Sequence, residues 1–276
     1  MLDKPKEKHR VKVTETNLQN QLDRFQKKVF ERSLSKELKL PDWPESKRGT
    51  PNSFLRSALF SAIQSKDRVF LKDVVLASQE GVAVNFTGEQ LNQEDLTLWE
   101  TLVHLAKNEP LGNICNFTAY DILRTMGLGD GGIDRERLHK GIIRLTACAV
   151  EISLNGSRVY FSSLIDSGAK NELTSHYTIQ LNRQLIKLYS QNTWLDWEQR
   201  AKLRRKPLAQ TLHGYYSSHK KPYPVKLETL QQLSGSKNKQ SAGFKKKVSI
   251  ALDELVKIDF LKSYNIDNNM VMVKRK

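Results

Sequence analysis

The chain has 276 residues, 45 of them Lys or Arg and 30 Asp or Glu, which gives a formal net charge of +15 at pH 7. This excess favours a polyanionic partner, because basic side chains that bind phosphates release counterions, and nucleic acid is the first expectation. No apolar run approaches the roughly 20 residues of a membrane span, and no signal-peptide segment follows the charged start, so we expect a cytoplasmic protein with no membrane partner.

Residues 1–39 are polar and rich in lysine, a composition typical of a flexible basic arm. Within this arm, Gln21, Leu22 and Phe25 have the spacing of the pentapeptides that dock on bacterial sliding clamps. A helix over Leu18 to Phe30 with one apolar edge explains the same residues at least as well. Clamp binding by this segment is therefore a hypothesis with a purely structural alternative.

Residues 40–190 are predicted to form a first domain of alternating strands and helices. The expected strands are Val69 to Val75, Val82 to Phe86 and Asn113 to Phe117, and the expected helices are Asn92 to Lys107, Thr118 to Met126 and Asp134 to Ala147. A strand, two helices and a following hairpin would form a winged helix-turn-helix.

The helix at Asp134 to Ala147 has an apolar face and a basic face. The positions expected to be buried are Leu138, Ile142, Leu145 and Ala149. The positions on the opposite face, which we expect to contact DNA, are Arg137, Lys140 and Arg144. The dipeptide Asn155-Gly156 predicts a hairpin. We expect that hairpin to be the wing, with Arg158 as a phosphate contact.

Residues 191–276 are predicted to form a second domain and the main DNA reader. Pro207 is placed to begin a helix there. No acidic residue occurs between Gln199 and Lys221, so Arg204 and Arg205 belong to an uncompensated basic cluster. We expect this cluster to add to DNA binding.

Two helices around Ser234-Gly235 follow, and the second carries the strongest signal in the chain. Its apolar stripe is Phe244, Val248, Ala251, Leu252 and Leu255. Its candidate DNA contacts are Lys239, Gln240, Lys245, Lys246, Lys247 and Ser249. A hairpin bearing Lys274 comes next, and this order predicts a second helix that enters the major groove. A solvated basic face without a partner is the alternative.

The fold class predicted is therefore α+β, with two tandem winged-helix domains after a flexible basic arm. Three stretches of the chain, Leu40 to Pro44, Arg56 to Phe60 and Tyr216 to Thr229, carry a family resemblance. In these stretches the sequence resembles the TrfA-type plasmid replication initiators.

The resemblance implies a protein that binds iteron repeats in double-stranded origin DNA and helps to open an adjacent AT-rich region, whose single strand it could also contact. It also implies recruitment of the host initiator DnaA, the replicative helicase and the sliding clamp, and a dimer that becomes monomeric to bind iterons. The family's clamp-binding peptide is matched by Gln21, Leu22 and Phe25 and departs at Arg24.

The sequence gives little support for an enzymatic function. A replication nickase needs a tyrosine nucleophile and a histidine-bound metal, and the adjacent Tyr215 and Tyr216 are not accompanied by a His-x-His pair. Cys115 and Cys148 lack metal-ligand spacing and are expected to be buried free thiols. We therefore predict a protein that is not an enzyme and has no cofactor or metal.

Two rival interpretations keep a DNA-binding architecture. A winged-helix transcriptional repressor would bind an operator as a stable dimer without host replication proteins. Alternatively, the first domain serves only for dimerisation and partner contacts, which would remove Arg137 and its neighbours from the DNA interface.

Overall fold

The computed structural model describes residues 40–79, 81–107, 113–236 and 241–276. The predicted basic arm and its clamp-like peptide, Gln21, Leu22 and Phe25, lie outside the described residues, as do Lys239 and Gln240. The fold is a mixture of helices and antiparallel strands.

A four-stranded antiparallel sheet forms one layer of the first half of the chain. Its strands lie in the order β2, β3, β5, β6, and their bounds are Phe70–Leu76, Val82–Glu89, Ala149–Leu154 and Ser157–Ser162. Alternate residues on its inner face are buried, among them Phe86 opposite Val150 and Ile152 opposite Tyr160. The period-2 pattern of these strands therefore decides which face meets the core.

The hairpin at Asn155-Gly156 forms as predicted, with Asn155 at φ 50° and Gly156 at φ 81°. Its placement as a wing was wrong, because β5 pairs with β3 and completes the four-stranded sheet. The physical reason is that the apolar side of the hairpin, at Val150 and Ile152, matches that of β3, and burying both together removes more apolar surface from water.

The middle of the chain forms a unit with the order helix, strand, helix, helix and hairpin. It consists of α2 (Gln93–Ala106), β4 (Ile114–Thr118), α3 (Ala119–Thr125), α4 (Gly132–Ala147), β7 (Ile165–Asn171) and β8 (His176–Leu181). Its three-stranded sheet has the order β4, β8, β7. The hairpin that pairs with β4 is thus β7–β8.

The same order recurs near the C-terminus. This unit consists of α6 (Pro207–Ser217), β10 (Val225–Lys226), α7 (Leu227–Leu233), α8 (Ser241–Lys257), β11 (Leu261–Asp267) and β12 (Met270–Arg275). Its sheet has the order β10, β12, β11, which is the order of the first unit with each strand replaced by its counterpart. We call these the first and the second repeated unit.

Local signals in the sequence set the ends of several helices. Asn92 and Asp95 form a reciprocal capping box at the start of α2, and Thr118 and Asp121 do so at α3. Pro207 stands in the first turn of α6, where its missing N–H is not needed.

The remaining elements join the two halves of the chain. A short helix α1 (Asn52–Leu55) follows β1 (Lys47–Pro51), which pairs with β9 (Asn192–Asp196), and α5 (Trp197–Lys202) comes directly after β9. The segment Arg183–Ser190 is a 3-10 helix.

Two apolar cores fill the interior. The first extends from Trp43 to Leu195 in sequence and the second from Leu203 to Val271. Both cysteines are buried thiols, as expected, and burial raises the pKa of the Cys148 thiol to about 11.

Buried polar contacts tie the two cores together. Arg200 on α5 lies with its Nε 2.8 Å from Glu100 Oε2 on α2, and both side chains are buried. Burial raises the pKa of Glu100, while Arg200 and the hydroxyl of Thr50 oppose that shift. The hydroxyl of Tyr215 on α6 donates to Gln79 Oε1 at 2.7 Å.

Candidate nucleic-acid interface

The helix α8 presents a row of lysines to solvent. Its apolar stripe, Phe244, Val248, Ala251, Leu252 and Leu255, is buried as predicted. The side chains of Lys245, Lys246 and Lys247 are exposed and that of Ser249 is half-buried. Within the described part of the chain, no carboxylate lies at ion-pair distance from these three ammonium groups. The N-terminal half of α8 therefore carries three uncompensated positive charges, at Lys245, Lys246 and Lys247, which we call the lysine row.

The hairpin β11–β12 is fixed against this helix. The hydroxyl of Tyr264 on β11 donates to Asp253 Oδ1 at 2.7 Å and to the carbonyl oxygen of Ser249 at 3.4 Å. Burial and the neighbouring Asp253 carboxylate raise the pKa of Tyr264. The turn residues Asn268 and Asn269 adopt positive φ, and Lys274 on β12 is exposed. A second basic element thus belongs to the same body as α8.

In the first repeated unit, α4 buries Leu138, Ile142 and Leu145 as predicted, whereas Ala149 is exposed because it begins β5. Arg137 and Lys140 are exposed, and each forms an ion pair along the helix. Arg137 Nη1 lies 3.3 Å from Asp134 Oδ1, and Lys140 Nζ lies 2.7 Å from Glu136 Oε1. Exposed pairs of this kind contribute little and can be exchanged for phosphate.

Arg144 does not share that open face. Its Nη2 lies 2.7 Å from Asp95 Oδ1, and only 12% of its side chain is exposed. Asp95, which is 1% exposed, also accepts a hydrogen bond from Arg68 Nη2 at 2.8 Å. The expectation that Arg144 projects outward beside Arg137 was wrong, because a buried carboxylate is stable only when cations and hydrogen bonds compensate its charge.

Two other predicted contacts also have protein partners. Arg158 lies on β6, where its Nε donates to Glu151 Oε1 at 2.7 Å. Arg204 donates to the carbonyl oxygen of Gly127 and so joins the α5–α6 loop to the α3–α4 loop. Arg205 occupies the same loop with φ 63°.

The fold brings basic residues together that are distant in the sequence. A cleft of about 320 Å³ lies between α4 and the α5–α6 loop, and its basic lining includes Arg137, Lys140, Arg200, Arg204 and Arg205. Its lining also contains the carboxylates of Glu89, Glu94, Asp95 and Asp134. The sequence showed two separate basic segments and gave no sign that they meet. The acid-free run from Gln199 to Lys221 was the available signal that the loop would contribute.

The tyrosines weighed as nucleophiles are in the second core. Tyr215 is 2% exposed and Tyr216 is fully buried, and burial raises the pKa of Tyr216 well above its usual range. Their hydroxyls therefore do not meet a DNA strand at the surface. Among the residues that the structure describes, no three His, Cys, Asp or Glu side chains converge in a way that could hold a metal ion.

Comparison with known proteins assigns the chain to a family. The profile of the family described as TrfA protein matches residues 5–275. The chain belongs to the TrfA family. This family membership confirms the resemblance seen in the sequence.

One curated relative is the plasmid replication initiator protein TrfA of Escherichia coli. It is 28% identical over 245 residues, which is 84% of this chain and 63% of the relative. This TrfA-family chain thus spans less than two thirds of that relative's length.

The chain is also similar to proteins of known structure. Domains 2 and 3 of RctB superpose with a TM-score of 0.54 at 12% identity, over 82% of this chain and 98% of that one. The Pi initiator protein in complex with iteron DNA gives a TM-score of 0.48 at 14% identity, over 67% of this chain and 96% of that one. The likeness to RctB shows a shared fold. Within the described ranges, no helix is both long and apolar enough to cross a membrane.

Proposed function

We propose that this TrfA-family protein is a plasmid replication initiator that binds iteron repeats in double-stranded origin DNA. It acts in the cytoplasm, without catalysis, promotes opening of the adjacent AT-rich region and recruits host replication proteins. The observation that carries the proposal is the uncompensated lysine row of α8 beside the β11–β12 hairpin. Membership of the TrfA family and the role of the Escherichia coli relative, a plasmid replication initiator, support the same function.

In this proposal the chain has two tandem winged-helix domains, residues 40–190 and residues 191–276. The first repeated unit lies in the first domain and the second repeated unit in the second domain. The second helix of each helix pair, α4 or α8, enters a major groove, because that groove is wide enough for one helix. Two such helices on successive turns of one duplex face would cover roughly twenty base pairs. Lys239 and Gln240, which precede α8 in the sequence, are also DNA contacts in this proposal.

The basic cleft supports a role for the first repeated unit in DNA binding. Arg137, Lys140, Arg204 and Arg205 border it from both sides. In this proposal these four cations contact a phosphate backbone that passes along the cleft, and the exposed ion pair of Arg137 with Asp134 is exchanged for phosphate. Arg144 contributes less in this proposal because the buried carboxylate of Asp95 holds it, whereas Arg158 and Lys274 are exposed and remain candidate phosphate contacts.

The partners proposed are those that family membership suggests. They are the iterons, single-stranded AT-rich origin DNA, DnaA, the replicative helicase and the sliding clamp, together with a second copy of this chain in a monomer–dimer equilibrium. The clamp would bind through Gln21, Leu22 and Phe25.

Maintenance of a plasmid tests the central claim. A repeat-bearing origin without any other replicon should persist in cells that express the parent protein and be lost with Lys245→Ala, Lys246→Ala and Lys247→Ala combined. Lys257→Ala, at the far end of α8, is the matched control and should maintain the plasmid. If the parent protein binds the repeats and the plasmid is still lost, a repressor replaces the initiator.

Clamp binding has its own test. Leu22→Ala combined with Phe25→Ala should abolish binding to a purified clamp and leave repeat binding intact. An unchanged clamp affinity would reject the peptide.

A further inference from the structure

Ile133 is an apolar side chain that the core does not use. It lies in the first turn of α4 and is 69% exposed, whereas Leu138, Ile142 and Leu145 of the same helix are buried. A single exposed apolar residue is ordinary on a protein surface. The position of Ile133 on α4 is what indicates a function.

Ile133 lies on the stripe of α4 that the proposed function assigns to DNA. Arg137 and Lys140 follow it at four and seven residues, so that the three side chains share one face. In a helix-turn-helix it is the N-terminal part of the second helix that reaches base edges. Ile133 therefore occupies the position nearest the bases, and Arg137 and Lys140 lie toward the backbone.

The space in front of Ile133 is open. Added Cβ atoms at Gly131 and Gly132, the residues just before it, would have no neighbour within 4 Å. Gly131 has an ordinary extended conformation, with φ −74° and ψ 162°. The Ile133 side chain itself is 69% exposed, so it is open to solvent at the first turn of α4.

An isoleucine side chain cannot donate or accept a hydrogen bond. The apolar group that a base pair presents in the major groove is the C5-methyl of thymine. A β-branched side chain in a helix has one strongly preferred χ1 rotamer, so Ile133 presents its methyl groups in a fixed direction at little entropic cost. We propose that Ile133 determines specificity for one thymine in the repeat by packing on its C5-methyl group. The inference rests on the proposed function.

Deoxyuridine, which lacks only that methyl, provides the test. The repeat of the plasmid that carries the gene is made as a set of duplexes, each with one thymine replaced by deoxyuridine. The parent protein should bind one of them about fourfold more weakly, the loss expected for one methylene-sized group removed from an apolar contact. Ile133→Ala should bind that duplex and the unmodified repeat equally, and Ile133→Val should keep most of the difference.

Ile143→Ala is the matched control, since Ile143 is 52% exposed on another side of the same helix. It should show the full sensitivity of the parent protein. The inference is overturned if no replacement weakens the parent protein, or if Ile133→Ala keeps the parent's sensitivity. A parent protein that binds the repeat no more tightly than random duplex overturns the proposed function and this inference with it.

Discussion

The Arg56 guanidinium binds Ser218, although the two residues are 162 positions apart. Its Nε donates to Ser218 Oγ at 3.0 Å, and its Nη2 donates to the Ser218 carbonyl oxygen. Arg56 directly follows α1, which contributes to the first core. Ser218 directly follows α6, which contributes to the second core. The family-like stretches Arg56 to Phe60 and Tyr216 to Thr229 are therefore in contact where the first half of the chain meets the second.

Arg56→Ala should lower the free energy of unfolding by about 1.5–3 kcal/mol, the usual worth of hydrogen bonds from a charged donor. Arg56→Lys should recover little, because an ammonium group cannot reproduce the forked geometry. Urea denaturation followed by circular dichroism measures the change. Arg183→Ala, an exposed arginine, should leave the midpoint unchanged, and an unchanged midpoint in Arg56→Ala would show that this contact adds no stability.

The buried pair of Arg200 and Glu100 should respond differently to single and double changes. Arg200→Met leaves an uncompensated buried carboxylate and should cost about 3–5 kcal/mol of unfolding free energy. Adding Glu100→Leu should recover much of that loss, since two apolar side chains need no charge compensation.

Denaturant unfolding of the parent, both single variants and the double variant measures this coupling. Lys202→Ala breaks the exposed pair of Lys202 with Glu198 on the same helix and should have no measurable effect. Additive losses in the double variant would mean that the pair is not coupled.

Periodicity predicted the local elements but not their partners. The stripe from Phe244 to Leu255 was predictable because a 3.6-residue period is contained within one helix. The pairing of β5 with β3 was not, since it joins Ile152 to Val84 across 68 positions. Strand β7 escaped prediction because Asp166 to Asn171 has no apolar alternation.

The exposure of a predicted site residue was likewise predictable only where it depends on the residue's own helix. Exposure of Lys245 to Lys247 follows from the helix period alone. The inward turn of Arg144 follows from Asp95, a residue on another helix that the period of α4 does not reveal. Long-range electrostatic contacts therefore mark the limit of sequence-based reasoning here.

Lys246→Ala should weaken binding to the repeat by about 1–3 kcal/mol and binding to random duplex by less, if its ammonium group contacts a base edge. Titrations at several salt concentrations measure both losses. Equal losses, with a salt slope reduced by about one, would make Lys246 a phosphate contact instead. Lys257→Ala, whose ammonium group lies 3.1 Å from Glu254, is the control and should change neither affinity.

His213 should make the protein less stable as the pH falls. Its ring is fully buried against Phe260, and burial lowers its pKa from 6.5 to about 3. Between these two values the unfolded chain binds a proton that the folded protein does not, so unfolding is favoured as the pH decreases. The stabilisation that depends on the neutral His213 ring is fully present above about pH 6.5. Below that pH it decreases by up to about 1.4 kcal/mol per pH unit.

Urea midpoints of the parent protein and of His213→Gln, measured from about pH 7 to about pH 4, test this linkage. The glutamine does not titrate, so the variant should lose stability more slowly over that range, by up to one proton's worth of slope. His176→Gln, an exposed position on β8, should keep the slope of the parent protein. Identical slopes for the parent and His213→Gln would show that the buried imidazole takes up its proton without unfolding.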